Sequence, residues 1–161
     1  MDNELIYGEI SVKGIKQFAK LEPNCKKFMD VGSGYGKFTW AMGSFFETNE
    51  AYGIEIDSEK FRISRKYFGG KYNSNIHFNY GDFRQFKPLI AEMDVVYSNC
   101  ITWHYESVIE LVNCLSPNTT FYHNHIKFYR ENKENQKPVL IDVDWKIEDY
   151  YFYKLNTNIE R

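Results

Sequence analysis

Three glycines at alternate positions follow an acidic residue near the start of the chain. The segment FMDVGSGYGK, residues 28–37, places Gly32, Gly34 and Gly36 shortly after Asp30. A structural turn needs one or two glycines, so three at this spacing indicate a backbone that lies against a ligand. We therefore expect a small-molecule site at this loop.

The spacing differs from two common nucleotide-binding loops. A dinucleotide loop reads G-x-G-x-x-G, whereas this segment reads G-x-G-x-G, with Lys37 at the position of the expected third glycine. A P-loop needs G-K-[ST] after four intervening residues, which the segment lacks. Asp30 would repel a pyrophosphate but attract an ammonium group. These features disfavour NAD and ATP and favour a ligand that carries an amino group.

Polar residues also follow the next three apolar runs. Glu55 ends the run AYGIE, the pair Asp82-Phe83 follows NIHFNYG, and the pair Ser98-Asn99 ends MDVVYSN. Each residue alone has an ordinary alternative role as a cap or a solvent-facing group. Acidic groups at three successive strand ends, counting Asp30, instead indicate one shared site.

The ligand that fits this set is S-adenosylmethionine. Loop amides and a helix N-terminus suit its carboxylate, and Asp30 suits its ammonium group. Glu55 can accept hydrogen bonds from both ribose hydroxyls. Asp82 can accept one from the adenine amino group while Phe83 packs on the ring. We therefore expect S-adenosylmethionine as the cofactor.

The elements that must position these residues follow from apolar periodicity. Strands are predicted over 26–31, 51–56, 75–80, 93–99 and 119–126, and helices over 11–23, 37–47, 57–70 and 102–115. Two further runs, 139–145 and 149–155, predict an antiparallel hairpin. The alternation predicts an α/β fold: a Rossmann-like, seven-stranded, mostly parallel sheet with helices on both faces and a C-terminal antiparallel hairpin. Ligands of such sheets lie at the carboxyl ends of the strands.

Composition limits the class of protein. A length of 161 residues suits one domain, 1–161, and a net charge of −2 argues against a molecule that binds nucleic acid through its overall charge. Three cysteines without C-x-x-C spacing indicate a reducing compartment. We find no signal peptide and no apolar run of transmembrane length, so an intracellular location, cytoplasmic or nuclear, is expected.

Three remaining features are interpreted conservatively. The segment KFYRENKENQK, 127–137, mixes basic and acidic residues and favours a solvated connection, either helix or loop. His123 and His125 share one face of a strand near His104, but packed histidines are commoner than ligands, so no metal is expected. A nucleophilic pair of Cys100 and His104 lacks a third group to orient it.

The order YGE, helix, DVGSGYGK, YGIEID, GDF, VVYSN resembles class I S-adenosylmethionine-dependent methyltransferases. Within them it resembles the Dot-one (disruptor of telomeric silencing) type of protein-lysine methyltransferase, from Tyr7 to Ile126. The motifs GIEID and GDF also resemble small archaeal lysine methyltransferases. The resemblance implies an N-terminal loop and helix over the cofactor in 1–24, a cofactor-binding core in 25–126 and the hairpin in 139–155.

The resemblance also implies roles for single residues. Tyr7 and Glu9 would belong to a loop over the cofactor, and Asn99 would lie beside the reacting methyl group, with Tyr7 and Tyr97 as further catalytic candidates. The implied cofactor-binding residues are Tyr7, Glu9, Asp30, Gly32, Ser33, Gly34, Gly36, Lys37, Glu55, Asp82, Phe83 and Asn99.

The implied acceptor is a protein lysine, in a histone or nucleosome or in another basic protein. Cys100 follows Asn99 where the family has two asparagines and a phenylalanine, and a large helical N-terminal region and a basic tail are absent, which disfavours a nucleosome. The [DNS]-P-P-[YFW] motif of base-amino methyltransferases is absent as well. The alternatives are a non-catalytic cofactor-binding module or partner subunit, and an RNA or small-molecule methyltransferase.

A lysine acceptor must lose its proton before transfer, and desolvation in an aromatic channel would lower its pKa. The aromatic residues near the ends of the fourth and fifth strands are candidates for this channel, with core packing as the alternative for each: Tyr97, Trp103, Tyr105 and Tyr122.

Overall fold

The computed structural model of the chain describes residues 10–46, 50–69, 74–143 and 150–157. The strands are β1 Lys27–Val31, β2 Glu50–Glu55, β3 Ile76–Tyr80, β4 Val95–Ser98, β5 Thr120–His123, β6 Gln136–Ile141 and β7 Tyr150–Asn156. The helices are α1 Val12–Leu21, α2 Lys37–Phe45, α3 Ser58–Phe68, α4 Lys87–Ile90, α5 Tyr105–Cys114 and α6 Ile126–Glu131, with a 3₁₀ turn over Phe83–Phe86.

These strands form one seven-stranded sheet in the order β3-β2-β1-β4-β5-β7-β6. The first five strands pair in parallel, and β7 runs antiparallel between β5 and β6. The predicted α/β sheet with its C-terminal antiparallel hairpin is confirmed. The strand order reverses between β1 and β4, so their carboxyl ends border the crevice in which such sheets bind ligands.

Helices cover both faces of the sheet. On one face α1 and α2 pack through Phe18 and Phe38 against Phe28 of β1 and Tyr97 of β4. On the other face α4, α5 and α6 enclose the alternate strand residues, which include Met29 and Val96. Because both faces of the central strands are buried, these strands are apolar almost throughout.

The start of α1 lies at the carboxyl edge of the sheet, beside the end of β6. Ile10 forms a β-bridge with Val143, just beyond the end of β6, and Ser11 caps α1 by accepting a hydrogen bond from the Gly14 amide at 3.0 Å. A Cβ on Gly14 would lie 2.1 Å from the carbonyl oxygen of Asp142. Glycine therefore allows the start of α1 to lie directly against the carboxyl end of β6.

Several elements differ from their predicted bounds. The strand predicted over 119–126 ends at His123, and Ile126 begins α6. The polar segment after β3 is helical, as the 3₁₀ turn and α4. The hairpin begins at Gln136 rather than at 139, because α6 ends at Glu131 and returns the chain early. The helix predicted from 102 begins at Tyr105, because Thr102, Trp103 and His104 line a pocket instead. Among the helices of the described residues, none has the length and apolar character to cross a membrane.

Candidate active site

The glycine loop adopts a backbone conformation that requires glycine. Gly32, Gly34 and Gly36 have φ values of 86°, 57° and 93°, which L side chains rarely adopt. A Cβ on Gly36 would lie 2.8 Å from the Phe78 ring and 2.9 Å from the Ser64 Cβ, whereas a Cβ on Gly32 would meet nothing within 4 Å. Gly36 therefore serves packing, and Gly32 borders open space where a ligand fits.

Most amides of this loop are already hydrogen-bonded within the protein. The N–H groups of Gly32 and Ser33 donate to the carbonyl of Ile54, and that of Gly36 donates to the carbonyl of Ser33. The Gly34 amide donates to Glu55 Oε1 at 2.7 Å. A carboxylate bound here would therefore meet the first turn of α2, whose N-cap provides no side-chain hydrogen bond.

Lys37 supports this orientation of a ligand carboxylate. It is the first residue of α2 and follows Gly36 directly. A lysine at a helix N-terminus is unfavourable with respect to the helix dipole unless an anion lies nearby. An anionic group of the ligand at this helix start would offset that cost, and the predicted place of Lys37 at the methionine end stays a prediction.

Glu55 holds the glycine loop through a hydrogen bond from the Gly34 amide. Its side chain is buried, with Oε1 bound to the Gly34 amide and Oε2 accepting from the Asp57 amide at 2.9 Å. Asp57 in turn caps α3 through the amides of Glu59 and Lys60. Glu55 therefore joins the glycine loop to the start of α3, and its contact with ribose hydroxyls remains a prediction.

A pocket of about 250 Å³ opens at the carboxyl ends of β1, β2 and β3. Of the residues predicted to converge at the strand ends, Gly32, Asp82 and Phe83 line it, whereas Asp30, Glu55, Ser98 and Asn99 are not among its lining residues. Its lining consists of Val31, Gly32, Ile54, Ile56, Gly81, Asp82, Phe83, Arg84, Thr102, Trp103, His104 and Ser107.

Asp82 and Phe83, the residues predicted to bind the adenine, belong to a charged and aromatic wall of the pocket. Asp82 caps the 3₁₀ turn through the Arg84 amide, and the Arg84 guanidinium binds its two oxygens at 3.2 and 3.1 Å. Phe83 is 5% exposed and stacks on the Trp103 indole, with ring centroids 5.5 Å apart and planes 8° apart. Arg84 also binds Glu110 of α5, and this hydrogen bond lowers the pKa of the Glu110 carboxyl.

Asp30 lies in β1, paired in register with Gly53 on one side and Tyr97 on the other, and is buried. Ser33 Oγ is also buried and has no hydrogen-bond partner among the described residues. A Cβ on Gly53 would lie 2.7 Å from that hydroxyl. Two polar side chains, those of Asp30 and Ser33, are therefore buried at the glycine loop. The contact of Asp30 with the ammonium group stays a prediction.

Asn99 directly follows β4, whose carboxyl end borders the crevice at the reversal of strand order, and its side chain is held by Asn124. The Asn124 amide donates to Asn99 Oδ1 at 2.6 Å and accepts from the Cys100 backbone N–H at 2.8 Å. Ser98, the last residue of β4, is buried and donates to the carbonyl of Val31 at 2.8 Å. The end of β4 is thus attached to both β1 and β5.

Two of the predicted channel residues belong to the core instead. Tyr97 is 3% exposed and packs among Phe18, Phe38 and Phe152. Tyr122 is fully buried and its hydroxyl donates to Glu22, at the end of α1 remote from the pocket. These positions favour packing roles for both tyrosines, because their rings lie on the α1 and α2 face. Tyr7 and Glu9 lie outside the described residues.

The two histidines at the carboxyl end of β5, His123 and His125, are structural. His123 accepts from the His125 amide at Nδ1 and meets Gln136 Oε1 at 2.6 Å through Nε2, so it is neutral, and burial lowers its pKa to about 4. His125 caps α6 at the Phe128 amide and bonds the Trp103 carbonyl at 2.8 Å. The described residues contain no group of three or more His, Cys, Asp or Glu side chains placed to hold a metal.

The sequence matches the family described as methyltransferase domain over residues 23–154. The chain belongs to this family. The predicted membership of the class I S-adenosylmethionine-dependent methyltransferases is confirmed, and S-adenosylmethionine is the cofactor. The narrower Dot-one type is not shown. No match is found among curated proteins.

Solved structures share the fold at low sequence identity. An RNA methyltransferase from Salinibacter ruber with bound S-adenosyl-L-homocysteine is 20% identical, with a TM-score of 0.66, over 91% of this chain and 90% of that one. The m1A22 tRNA methyltransferase TrmK of B. subtilis is 18% identical, at 0.67, over 91% and 68%. An O-methyltransferase from Bacillus cereus is 11% identical, at 0.70, over 91% and 81%.

The site of this methyltransferase fits its cofactor. Gly32, next to which a Cβ would meet open space, lines the same pocket as Ile56 and Phe83, at the carboxyl ends of β1, β2 and β3. When bound, the cofactor supplies a methyl group on a sulfonium, which an acceptor displaces in line. The chain's own contribution is to orient the two reactants, which accounts for much of the rate in such transfers.

Sequence reasoning missed part of the pocket. Ile56 was not identified, although an apolar residue that follows Glu55 and remains 64% exposed is typical of a ligand wall. Arg84 was also missed, although it directly follows the identified pair Asp82-Phe83. Trp103 was a candidate for the acceptor channel, with core packing as the alternative, but it stacks on Phe83. Only the approach of the β4–α5 connection to the end of β3 reveals this contact.

Proposed function

We propose that this methyltransferase transfers its methyl group to a base in a structured RNA. The observation that carries the proposal is the surface of α6, which begins two residues after Asn124. Lys127 and Arg130 are exposed on this helix, and the Lys127 ammonium lies 4.8 Å from the ring of Tyr105. Basic groups beside an accessible aromatic ring suit the phosphates and unstacked bases of RNA.

The local charge supports this choice despite the net charge of −2. The segment 126–137 holds four basic and two acidic residues and begins two residues after Asn124, which bonds Asn99. The similar folds of the Salinibacter ruber RNA methyltransferase and the B. subtilis tRNA methyltransferase are consistent with it. A local basic surface determines where a polyanion docks, whereas net charge affects only long-range attraction.

A protein lysine is the second candidate acceptor. The specific observation in its favour is that the Tyr105 ring already holds a lysine ammonium, that of Lys127, in the cation–π contact that a substrate lysine would make. The burial of Tyr97 and Tyr122 in the core weighs against it, because two of the four predicted channel residues are then unable to line a channel.

The experiment offers S-adenosylmethionine with a labelled methyl group to tRNA, total RNA, histones, nucleosomes and total cell protein. We expect label in RNA that falls roughly tenfold or more in a Lys127→Glu/Arg130→Glu variant. The matched control is Arg65→Glu/Lys66→Glu, which reverses two exposed charges on α3, including a lysine above the Tyr67 ring.

Label on protein lysine instead of RNA would overturn the proposal in favour of the second candidate. Label on neither, with cofactor binding retained in the wild type, would indicate a non-catalytic binding module or a small-molecule acceptor. Equal loss in both charge-reversal variants would show that α6 has no special role.

A further inference from the structure

Asn124 joins the carboxyl ends of β4 and β5. It follows β5 directly, as Asn99 follows β4, and the last ladder pair beneath them is Ser98 with His123. Asn124 is 1% exposed. Its Oδ1 accepts from the Cys100 backbone N–H at 2.8 Å, and its Nδ2 donates to Asn99 Oδ1 at 2.6 Å. One buried amide therefore contacts both the backbone and the side chain of the β4 end.

The polarity of this bridge follows from the backbone. The Cys100 N–H is a donor only, so the atom of Asn124 that faces it must be the oxygen. The nitrogen of Asn124 then faces Asn99, and because this nitrogen is also a donor only, Asn99 must turn its oxygen toward it. The orientation of the Asn99 amide is therefore set by a backbone group through Asn124.

We propose that Asn124 is a positioning residue for methyl transfer, because it fixes the orientation of the Asn99 amide beside the reacting groups. The proposal rests on the proposed function for methyl transfer itself, and on the predicted place of Asn99 beside the reacting methyl group, at the carboxyl end of β4 next to the reversal of strand order. It explains why a polar side chain is buried directly after β5, where the parallel ladder ends and an apolar residue would leave the Cys100 N–H without an acceptor.

The test uses a variant that keeps the bridge but reverses its polarity. In Asn124→Asp, one carboxylate oxygen still accepts from the Cys100 N–H. The other oxygen can only accept, so Asn99 must turn its amide nitrogen toward it. The strand ends stay joined while Asn99 is inverted. At about pH 9, where the carboxyl is ionised, we expect a fall in kcat of roughly 100-fold with little change in KM or in cofactor Kd.

The pH dependence of kcat in Asn124→Asp distinguishes a residue that orients Asn99 from one that only holds the two strand ends together. A protonated carboxyl donates through its O–H and accepts through its carbonyl, so it reproduces the polarity of the native amide. The kcat of the variant relative to wild type should therefore rise as the pH falls to about 6, because burial raises the pKa of this carboxyl.

The titratable residues adjacent to Asn124 are its chain neighbours His123 and His125 and its hydrogen-bond partner Cys100. Burial raises the pKa of the Cys100 thiol to about 12 and lowers that of His123 to about 4, so neither changes charge between about pH 6 and 9. His125 is present in both proteins, and the comparison with wild type at each pH cancels its effect. A folded variant with a wild-type, pH-independent kcat would overturn the proposal.

A second measurement does not depend on the acceptor. In isotope-labelled wild-type protein, scalar couplings across hydrogen bonds should connect the Cys100 amide nitrogen with the Asn124 side-chain carbonyl carbon, and Asn124 Nδ2 with that of Asn99. Their absence would overturn the proposal even if every acceptor assay fails. If the couplings are present while no acceptor is methylated, the proposed function fails but the bridge and its polarity stand.

Discussion

At the scale of single residues, two glycines of the loop differ in their surroundings: Gly36 is closely packed, whereas Gly32 borders the open space of the pocket. Gly32 and Gly36 have nearly the same φ, 86° and 93°, so a side chain at either strains the backbone by about 1 kcal/mol. Their surroundings differ, because a Cβ on Gly36 meets Phe78 and Ser64 whereas one on Gly32 meets open space. The two positions therefore form a matched pair of variants.

We expect Gly32→Ala to weaken binding of S-adenosylmethionine at least tenfold while lowering the melting temperature only slightly, because its methyl group enters the space of the ligand. Gly36→Ala should lower the melting temperature much more, because the new methyl group overlaps a ring and a Cβ. Titration calorimetry and thermal unfolding of both variants check this. Equal destabilisation of the two would contradict it.

At the scale of elements, Arg84 connects two segments across the cofactor pocket. It extends from the 3₁₀ turn after β3 to α5, where its Nε binds Glu110 at 2.6 Å and its Nη2 binds the Ser107 hydroxyl at 3.1 Å. The same guanidinium holds the Asp82 carboxylate and lies 4.6 Å from the centre of the Phe83 ring. Arg84 therefore sets the orientation of the Asp82 carboxylate, which is predicted to accept a hydrogen bond from the adenine amino group.

We expect Arg84→Ala to raise the Kd of S-adenosylmethionine roughly fivefold, because Asp82 loses the group that orients it, which corresponds to about 1 kcal/mol for a half-exposed charged contact. Stability should fall by less than that. The control is Lys87→Ala, which removes an exposed cation from the start of α4 nearby. An unchanged Kd in Arg84→Ala would show that the arginine supports α5 alone.

At the scale of the whole molecule, His123 couples the stability of the sheet to pH. It is buried among Phe121, Phe128 and Tyr153, and burial lowers its pKa from 6.5 to about 4. The unfolded chain therefore binds a proton between these values that the folded chain does not. This group contributes stability that is fully present above pH 6.5 and is lost as the pH falls toward 4.

We expect the free energy of unfolding to fall by up to about 3 kcal/mol over this window from His123 alone. In His123→Phe, which retains an aromatic ring among aromatic neighbours, the fall should be shallower by that amount. Denaturant unfolding between pH 4 and 6.5 measures both proteins. Parallel curves for the two would show that His123 does not control acid stability.

Much of the fold and of the cofactor site followed from local patterns. Apolar periodicity predicts strands and helices from neighbouring residues, and the glycine spacing after Asp30 and the acid after each strand are short-range signals. Parallel strands bring their carboxyl ends to one edge, so Gly32, Asp82 and Phe83 were expected together and do line one pocket. The cofactor and the class of enzyme were therefore determined by the sequence itself.

Tertiary structure decided which face and which partner each side chain has. Both faces of β4 and β5 are buried, so periodicity does not show whether Tyr97 and Tyr122 point to the core or to the site, and only the packing of α1 and α2 places them in the core. The bonds of Glu55 to the Gly34 amide and of Asn124 to Asn99 join residues 21 and 25 positions apart. Such partners are set by strand order and register, which form only when the sheet assembles.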